Sequence, residues 1–344
     1  MLATVMYRSG DVRVEQVPDP VIGAPTDALI RVTYACVCGS DLHPYHDLPD
    51  TPGGRRMGHE AIGVVEQIGS SVATLAVGDT VIVPFAWSDN TCAFCRDGIT
   101  TSCVHGGFFD GAPSATQAEK LLVPQADGTA VVIPPGTDES LMPSLLTLSD
   151  VYLTGYHAAS QGRVGPRTTV TVIGDGAVGL SAVLASRQLG AQMIILMGRH
   201  TARTDLGRQF GATHVVAERG AEGVAKVVEL TGGEGSHVVL EAVGHLPAYQ
   251  QAYGVVRPGG VISRVGVPQY VDAPVGFASL FGKNATLTGG PATVRAYLDA
   301  AIPQVLDRTI DPGRVFDREL PLTDVAEAYR LMDTREALKV LIRP

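Results

Sequence analysis

Five cysteines punctuate the first third of the chain: Cys36, Cys38, Cys92, Cys95 and Cys103. Three of them fall within twelve residues, in the run Asp89-x2-Cys92-x2-Cys95-x7-Cys103. An odd count, with a stretch at 1–7 too short and uncharged for a signal peptide, argues against a disulfide framework and for metal chemistry. Two further segments carry metal-ligand types, Cys38-Gly39-Ser40-Asp41-x-His43 and Gly58-His59-Glu60. A cysteine and a histidine separated by this much chain say little alone, because a buried cysteine is often only a small apolar group. Their weight comes from the company they keep.

That company is Gly174-Asp175-Gly176-Ala177-Val178-Gly179, a G-x-G-x-x-G run. It follows an apolar, β-branched stretch at 169–173 and opens a helical stretch at 178–189 that Gly190 stops. The first glycine makes the tight turn, the second lets backbone approach a pyrophosphate, and the third lets helix and strand pack closely. The helix N-terminus then stabilises the phosphate charge. A site for NAD places an acid about 20 residues on, against the ribose hydroxyls. Here the next strand ends Leu196-Met197-Gly198-Arg199-His200, without an acid. Gly198 leaves room and Arg199 can pair with a 2′-phosphate, with His200 as an assistant. The expected cofactor is NADP(H) rather than NAD(H). Val243-Gly244 and Val265-Gly266-Val267 end later strands. Ligands of open α/β sheets lie beyond strand C-termini, so these residues are expected to floor a nicotinamide pocket.

The elements that must position these groups fall into two textures. Residues 28–35, 61–68 and 80–84 are short β-rich runs bounded by Gly, Pro, Asp or Ser, and no long helical period interrupts the first 150 residues. From 169 onward, strand-like runs (169–173, 193–197, 214–216, 237–241, 261–265) alternate with helical ones (178–189, 202–210, 222–230), the pattern of a parallel doubly wound sheet. Past 288 the pattern is mixed, ending in a helix at 324–333 and a strand near 339–342. The fold expected is α/β, with a nucleotide domain at 152–288 inserted into a β-rich domain at 1–151 and 289–344.

In this order and spacing, the Cys38–His43 segment, Gly58-His59-Glu60, the cysteine cluster, Asp150 with Thr154-Gly155-Tyr156 and the glycine turn resemble a zinc-dependent alcohol dehydrogenase of the medium-chain dehydrogenase/reductase superfamily, and its bacterial tetrameric secondary-alcohol branch. The resemblance covers essentially the whole chain. It implies a GroES-like β-barrel catalytic domain beside a Rossmann domain, and a homodimer or homotetramer built in part on edge strands. It implies Cys38 and His59 as ligands of a catalytic zinc, with Asp150 where many relatives carry cysteine. Asp150 also stands where a helix N-cap would, and the two roles are compatible. Glu60 is implied near the metal, Ser40 as the hydroxyl that bonds the substrate oxygen, and His43 as the outer end of a proton relay, with His46 a nearby competitor. Lys339 matches a basic residue that reaches the pyrophosphate in some relatives. Asp89, Cys92, Cys95 and Cys103 match a structural-zinc lobe in which most relatives have a fourth cysteine instead of Asp89. Asp97 or water could stand in for Asp89, and a metal-free lobe is the alternative. Phe85 is implied beside the zinc, with Trp87, Phe108, Phe109 and Tyr152 as further pocket candidates.

Composition excludes other classes. The chain has 344 residues, 45% hydrophobic and 18% charged, with a net charge of -9 that disfavours nucleic acid or an anionic membrane as partner. No apolar run is long enough to span a bilayer. A cytoplasmic enzyme acting on a small alcohol or carbonyl is expected; polyol, sugar or threonine oxidation on the same scaffold is the alternative. A zinc-free quinone reductase would lack the Cys38/His59 pair. A silent nucleotide-binding protein would not need Ser40, His43 and Asp150 together with it.

Overall fold

The computed structural model describes residues 1–109, 115–273 and 275–344. Its contacts divide the chain into two compact units, Met1–Asp150 with Thr293–Pro344, and Val151–Ala292.

In the first unit, the nine-residue run Ala28–Cys36 is buried at nearly every position. It pairs antiparallel with Ala61–Ile68, Lys120–Val123 and Val340–Arg343. Thr80–Val83 and Val131–Val132 extend the sheet on one side, and Arg318–Pro321 lies parallel to Val340–Arg343 on the other. A three-stranded sheet of Asp11–Gln16, Leu2–Arg8 and Arg55–Arg56 completes the β structure apart from a short ribbon, Ala86–Trp87 with Gly107–Phe108. Ile30, Ala35, Val65, Val81, Leu121 and Val340 sit in one buried cluster.

Register brings the chemistry together. Ala35 pairs with Ala61, and Cys36 pairs with Leu341. Cys38, Glu60 and Lys339 each lie just outside one of these three strand ends, so residues far apart in sequence meet at one edge of the sheet.

The second unit is a six-stranded, wholly parallel sheet in the order His214–Val216, Met193–Met197, Thr169–Ile173, Ser236–Glu241, Val256–Arg264, Thr286–Gly289. The order reverses at the first strand, Thr169–Ile173, which is the doubly wound arrangement and its ligand-binding switch point. Ile173, Met197, Glu241, Arg264 and Gly289 are aligned in register, so the strand C-termini form one rim. Helix Ala177–Gln188 leaves the glycine turn at this rim. A Cβ on Gly179 would stand 2.0 Å from the Gly174 carbonyl oxygen, so only glycine permits the turn and helix to approach this closely.

Candidate active site

At the edge of the first unit, Cys38, His59, Glu60 and Asp150 each place a ligand atom within 4.8 Å of the others. The Cys38 thiol approaches Asp150 Oδ2 at 3.6 Å, and His59 Nε2 lies 3.3 Å from the same oxygen. Gly58, at φ +93°, turns the chain into His59; a Cβ there would meet the Gln117 backbone nitrogen at 2.6 Å. Ser40 Oγ is 3.5 Å from His59 Nε2.

The imidazole is oriented from behind. His59 Nδ1 is 3.4 Å from Asp41 Oδ1, leaving Nε2 to face the cluster. The other Asp41 oxygen accepts from the Cys38 backbone N–H at 2.9 Å and from Gln117 Nε2 at 3.1 Å, and Tyr329 donates to Gln117 Oε1 at 3.1 Å. A carboxylate behind a ligating histidine fixes its tautomer and raises its basicity. Burial alone would push the His59 imidazole down, but Asp41 and Asp150 outweigh it and hold the ring well above the usual histidine range. Sequence reading assigned no role to Asp41, Gln117 or Tyr329. Asp41 carried a signal, since it lies inside the Cys38–His43 segment.

Lys339 is placed differently from the sequence expectation. Its ammonium is 1% exposed and donates to Glu60 Oε1 at 2.7 Å and to the Val37 carbonyl at 3.4 Å. It is a buried counter-ion of Glu60, held by the register of Val340–Arg343 against Ala28–Cys36, and not an exposed cation free for a phosphate. Burial raises the Glu60 carboxyl above its ordinary value even though Lys339 pulls it down. The second Glu60 oxygen, Oε2, is buried with no protein partner.

This donor set fits zinc. A thiol, an imidazole nitrogen and a carboxylate are the ligand types of a catalytic site that keeps one position open. The orphaned Glu60 Oε2 is the kind of buried acceptor that a nearby cation satisfies.

Aromatic rings flank the cluster. Phe85 meets His59 edge-on at 6.5 Å between centroids and stacks on Phe108 at 5.9 Å. Trp87 turns instead to fully buried Phe109, at 5.1 Å. Tyr152 is buried within the second unit, on helix Val151–Gln161. His43 is half-buried on the short helix Leu42–Asp47, whereas His46 is exposed and paired with Asp333 at 2.7 Å.

The second cluster also assembles. Asp89, Cys92, Cys95 and Cys103 place ligand atoms within 4.8 Å of one another, and Asp97 is not among them. One Asp89 oxygen accepts from the Thr91 and Cys92 N–H groups at 2.8 and 3.0 Å, and the other meets His105 Nδ1 at 2.7 Å. Burial would raise the Asp89 carboxyl, but these partners, His105 first, hold it well below the ordinary range. Hydrogen bonds from neighbouring backbone pull the Cys92 thiol down to about 7, while burial lifts Cys95 to about 12. The role of His105, like those of Asp41, Gln117 and Tyr329, was not legible in the sequence.

In the second unit the glycine turn, Gly198 and the later turns all sit on the sheet's C-terminal rim. Asp175, the second residue of the turn, reaches the end of the neighbouring strand. Its Oδ2 accepts from the Arg199 N–H at 2.9 Å, the His200 N–H at 2.9 Å and the His200 ring at 2.8 Å. The strand end therefore does carry a carboxylate, supplied by the turn instead of by the strand, and its engaged oxygen is saturated. Beside it lies a cavity of about 690 Å³ lined in part by Gly198, Arg199, Thr201, Thr204 and Arg208. The Arg199 side chain is exposed.

Comparison with known proteins agrees with both halves. Residues 24–135 match the alcohol dehydrogenase GroES-like domain, and residues 177–308 match the zinc-binding dehydrogenase domain. A zinc-type alcohol dehydrogenase B of Aspergillus flavus is 32% identical across all of this chain and 81% of its own length. A sorbitol dehydrogenase of Bacillus subtilis is 27% identical across all of this chain and 97% of its own. The solved structure of an alcohol dehydrogenase from Thermus sp. ATN1 superimposes with a TM-score of 0.93 at 36% identity, covering both chains in full. With a thiol–imidazole–carboxylate cluster on a GroES-like unit and a glycine turn on a parallel sheet, the chain belongs to the zinc-dependent alcohol dehydrogenases of the medium-chain dehydrogenase/reductase superfamily, oxidoreductases that pair zinc with a nicotinamide cofactor.

Proposed function

We propose that this enzyme transfers a hydride between NADP(H) and an uncharged, fairly apolar alcohol or its aldehyde or ketone, with Cys38, His59 and Asp150 holding the catalytic zinc. The observation that carries the reading is the convergence of those three donor types within 4.8 Å, with Asp41 behind the imidazole. Zinc bound there supplies Lewis acidity that eases loss of the hydroxyl proton. Ser40 hydrogen-bonds the substrate oxygen and takes part in moving that proton outward to His43. His46, committed to Asp333, leaves His43 as the outer group. Phe85, stacked on Phe108, gives the substrate an apolar wall. Polyol oxidation is the second reading, favoured by the sorbitol dehydrogenase relative and by Ser40 as a group able to bond an extra hydroxyl. Asp89, Cys92, Cys95 and Cys103 hold a structural zinc, with His105 orienting Asp89. Exposed Val271, Phe277 and Phe281, and the edge strand Thr286–Gly289, are features on which a homodimer or homotetramer would be built.

The cofactor assignment rests on what Asp175 leaves free. One Asp175 oxygen is taken up by three donors, and Arg199 and Arg208 line the cavity beside it, where the carboxylate of Glu218 is paired with Lys226. A 2′-phosphate there gains a bidentate guanidinium partner. Arg199→Asp is expected to weaken NADPH at least about tenfold and NADH about twofold or less, since hydrogen bonds to charged groups are worth about 1.5–3 kcal/mol. Fluorescence titration of both reduced cofactors checks this. An equal loss for the two would remove the 2′-phosphate role.

A further inference from the structure

We infer that Glu241 is a positioning residue for the nicotinamide half of the cofactor: its carboxylate and carbonyl together pin both turns of the pocket floor. The inference rests on the reading that Val243-Gly244 and Val265-Gly266-Val267 face the nicotinamide.

Glu241 is the last residue of strand Ser236–Glu241 and is 1% exposed. An acid is an unusual choice for so dry a position, because burying it costs free energy unless it is hydrogen-bonded. Its side chain is spent on the turn that follows: Oε1 accepts from the N–H groups of Val243 at 2.8 Å and Gly244 at 2.9 Å. Its main-chain oxygen is spent on the other turn, accepting from the N–H groups of Val265 at 2.9 Å and Gly266 at 3.1 Å. Four backbone donors from two separate turns thus converge on one residue.

The two turns also touch backbone to backbone. A Cβ on Gly244, at φ +82°, would stand 2.1 Å from the Val267 carbonyl oxygen, and one on Gly266 would stand 2.2 Å from the Gly244 nitrogen. The Gln269 N–H closes the arrangement on the Gly244 carbonyl at 2.8 Å. Val243 in turn lies against Gly174 of the dinucleotide turn, where an added Cβ would meet its Cγ2 at 2.9 Å. A shift of Glu241 therefore moves the two turns of the pocket floor together. The other carboxylate oxygen, Oε2, is buried and unpartnered, so an amide that keeps Oε1 in place preserves the device.

The test is calorimetric titration of the full-length enzyme with NADPH and NADH, each compared with the matching ADP-ribose fragment that lacks nicotinamide. Glu241→Gln keeps the Oε1 acceptor, Glu241→Met removes it at similar length, and Glu241→Asp keeps the charge but withdraws it by one methylene. Glu241→Gln is expected to match the wild type. Glu241→Met and Glu241→Asp are expected to bind the dinucleotide at least about tenfold more weakly, with fragment affinity unchanged, because the buried Gly244 N–H and the partly buried Val243 N–H lose their acceptor. Equal weakening of dinucleotide and fragment would make Glu241 a general structural residue and overturn the proposal. Val267→Trp, on an exposed position of the second turn, separates the remaining cases. If Val267→Trp weakens dinucleotide binding while Glu241→Met and Glu241→Asp do not, the positioning role fails and the pocket reading stands. If none of them weakens it, the pocket reading fails and the proposal falls with it.

Discussion

A Cys38→Ser enzyme is expected to lose at least about a thousandfold in kcat/KM, or about 4 kcal/mol of transition-state stabilisation, while binding the nicotinamide cofactor as well as the wild type. Cys38 supplies the soft ligand of a cluster that otherwise consists of a ring nitrogen and carboxylates. A serine hydroxyl is a poor substitute for a thiolate, and a catalytic zinc site has only three protein ligands to lose. The cofactor's phosphates and ribose are expected on the second unit, on the glycine turn and the strand rim, and none of those residues changes. Zinc content should fall from about two ions per chain to about one, because the Cys92 cluster is untouched and a closed four-ligand site retains its metal. Unchanged turnover would remove zinc from the mechanism. Loss of both ions would instead mean that the two clusters do not bind independently.

A Lys339→Met substitution is expected to destabilise the first unit by about 3–5 kcal/mol, the cost of stranding one partner of a buried ion pair. Both members are 1% exposed and bonded at 2.7 Å, so no water can replace the lost ammonium. The Glu60 carboxylate would then be left with neither oxygen satisfied, since Oε2 already has no partner. Adding Glu60→Gln removes the stranded charge and should recover more than half of the loss. That recovery is the coupling a double-mutant cycle measures. Urea unfolding of the zinc-chelated protein reads it directly as a shift in midpoint at constant slope. A Lys339→Met protein as stable as the wild type would show that the pair contributes nothing.

These two predictions mark where the sequence was legible and where it was not. The parallel sheet could be read closely: the runs 169–173, 193–197 and 214–216 are strands at those limits, and the central two are rich in buried β-branched and apolar residues, as strands covered on both faces are. The clusters were equally legible, since ligand types and spacing are local properties. Helix Val294–Leu306 was hidden by Pro303 in its interior, and strand Thr286–Gly289 by its exposed, polar edge position. Asp41, Asp175, His105 and Glu241 escaped for a different reason. A carboxylate or imidazole reads as a solvated polar residue until the partner that faces it is known, and each partner is fixed by tertiary packing. Lys339 shows the converse. Its resemblance to a phosphate-binding cation was a matter of position along the chain, whereas its pairing with Glu60 is set by strand register.

Hydride transfer by this enzyme is expected to depend on zinc at Cys38, His59 and Asp150. It is tested most directly by following deuterium from the carbinol carbon of a deuterated secondary alcohol to C4 of the nicotinamide, with the wild-type enzyme zinc-loaded, zinc-stripped and reloaded. Label is expected in the reduced cofactor from the loaded enzyme, with none from the stripped enzyme and its return on reloading. Undiminished transfer by the stripped enzyme, or reduced cofactor without label, would contradict it.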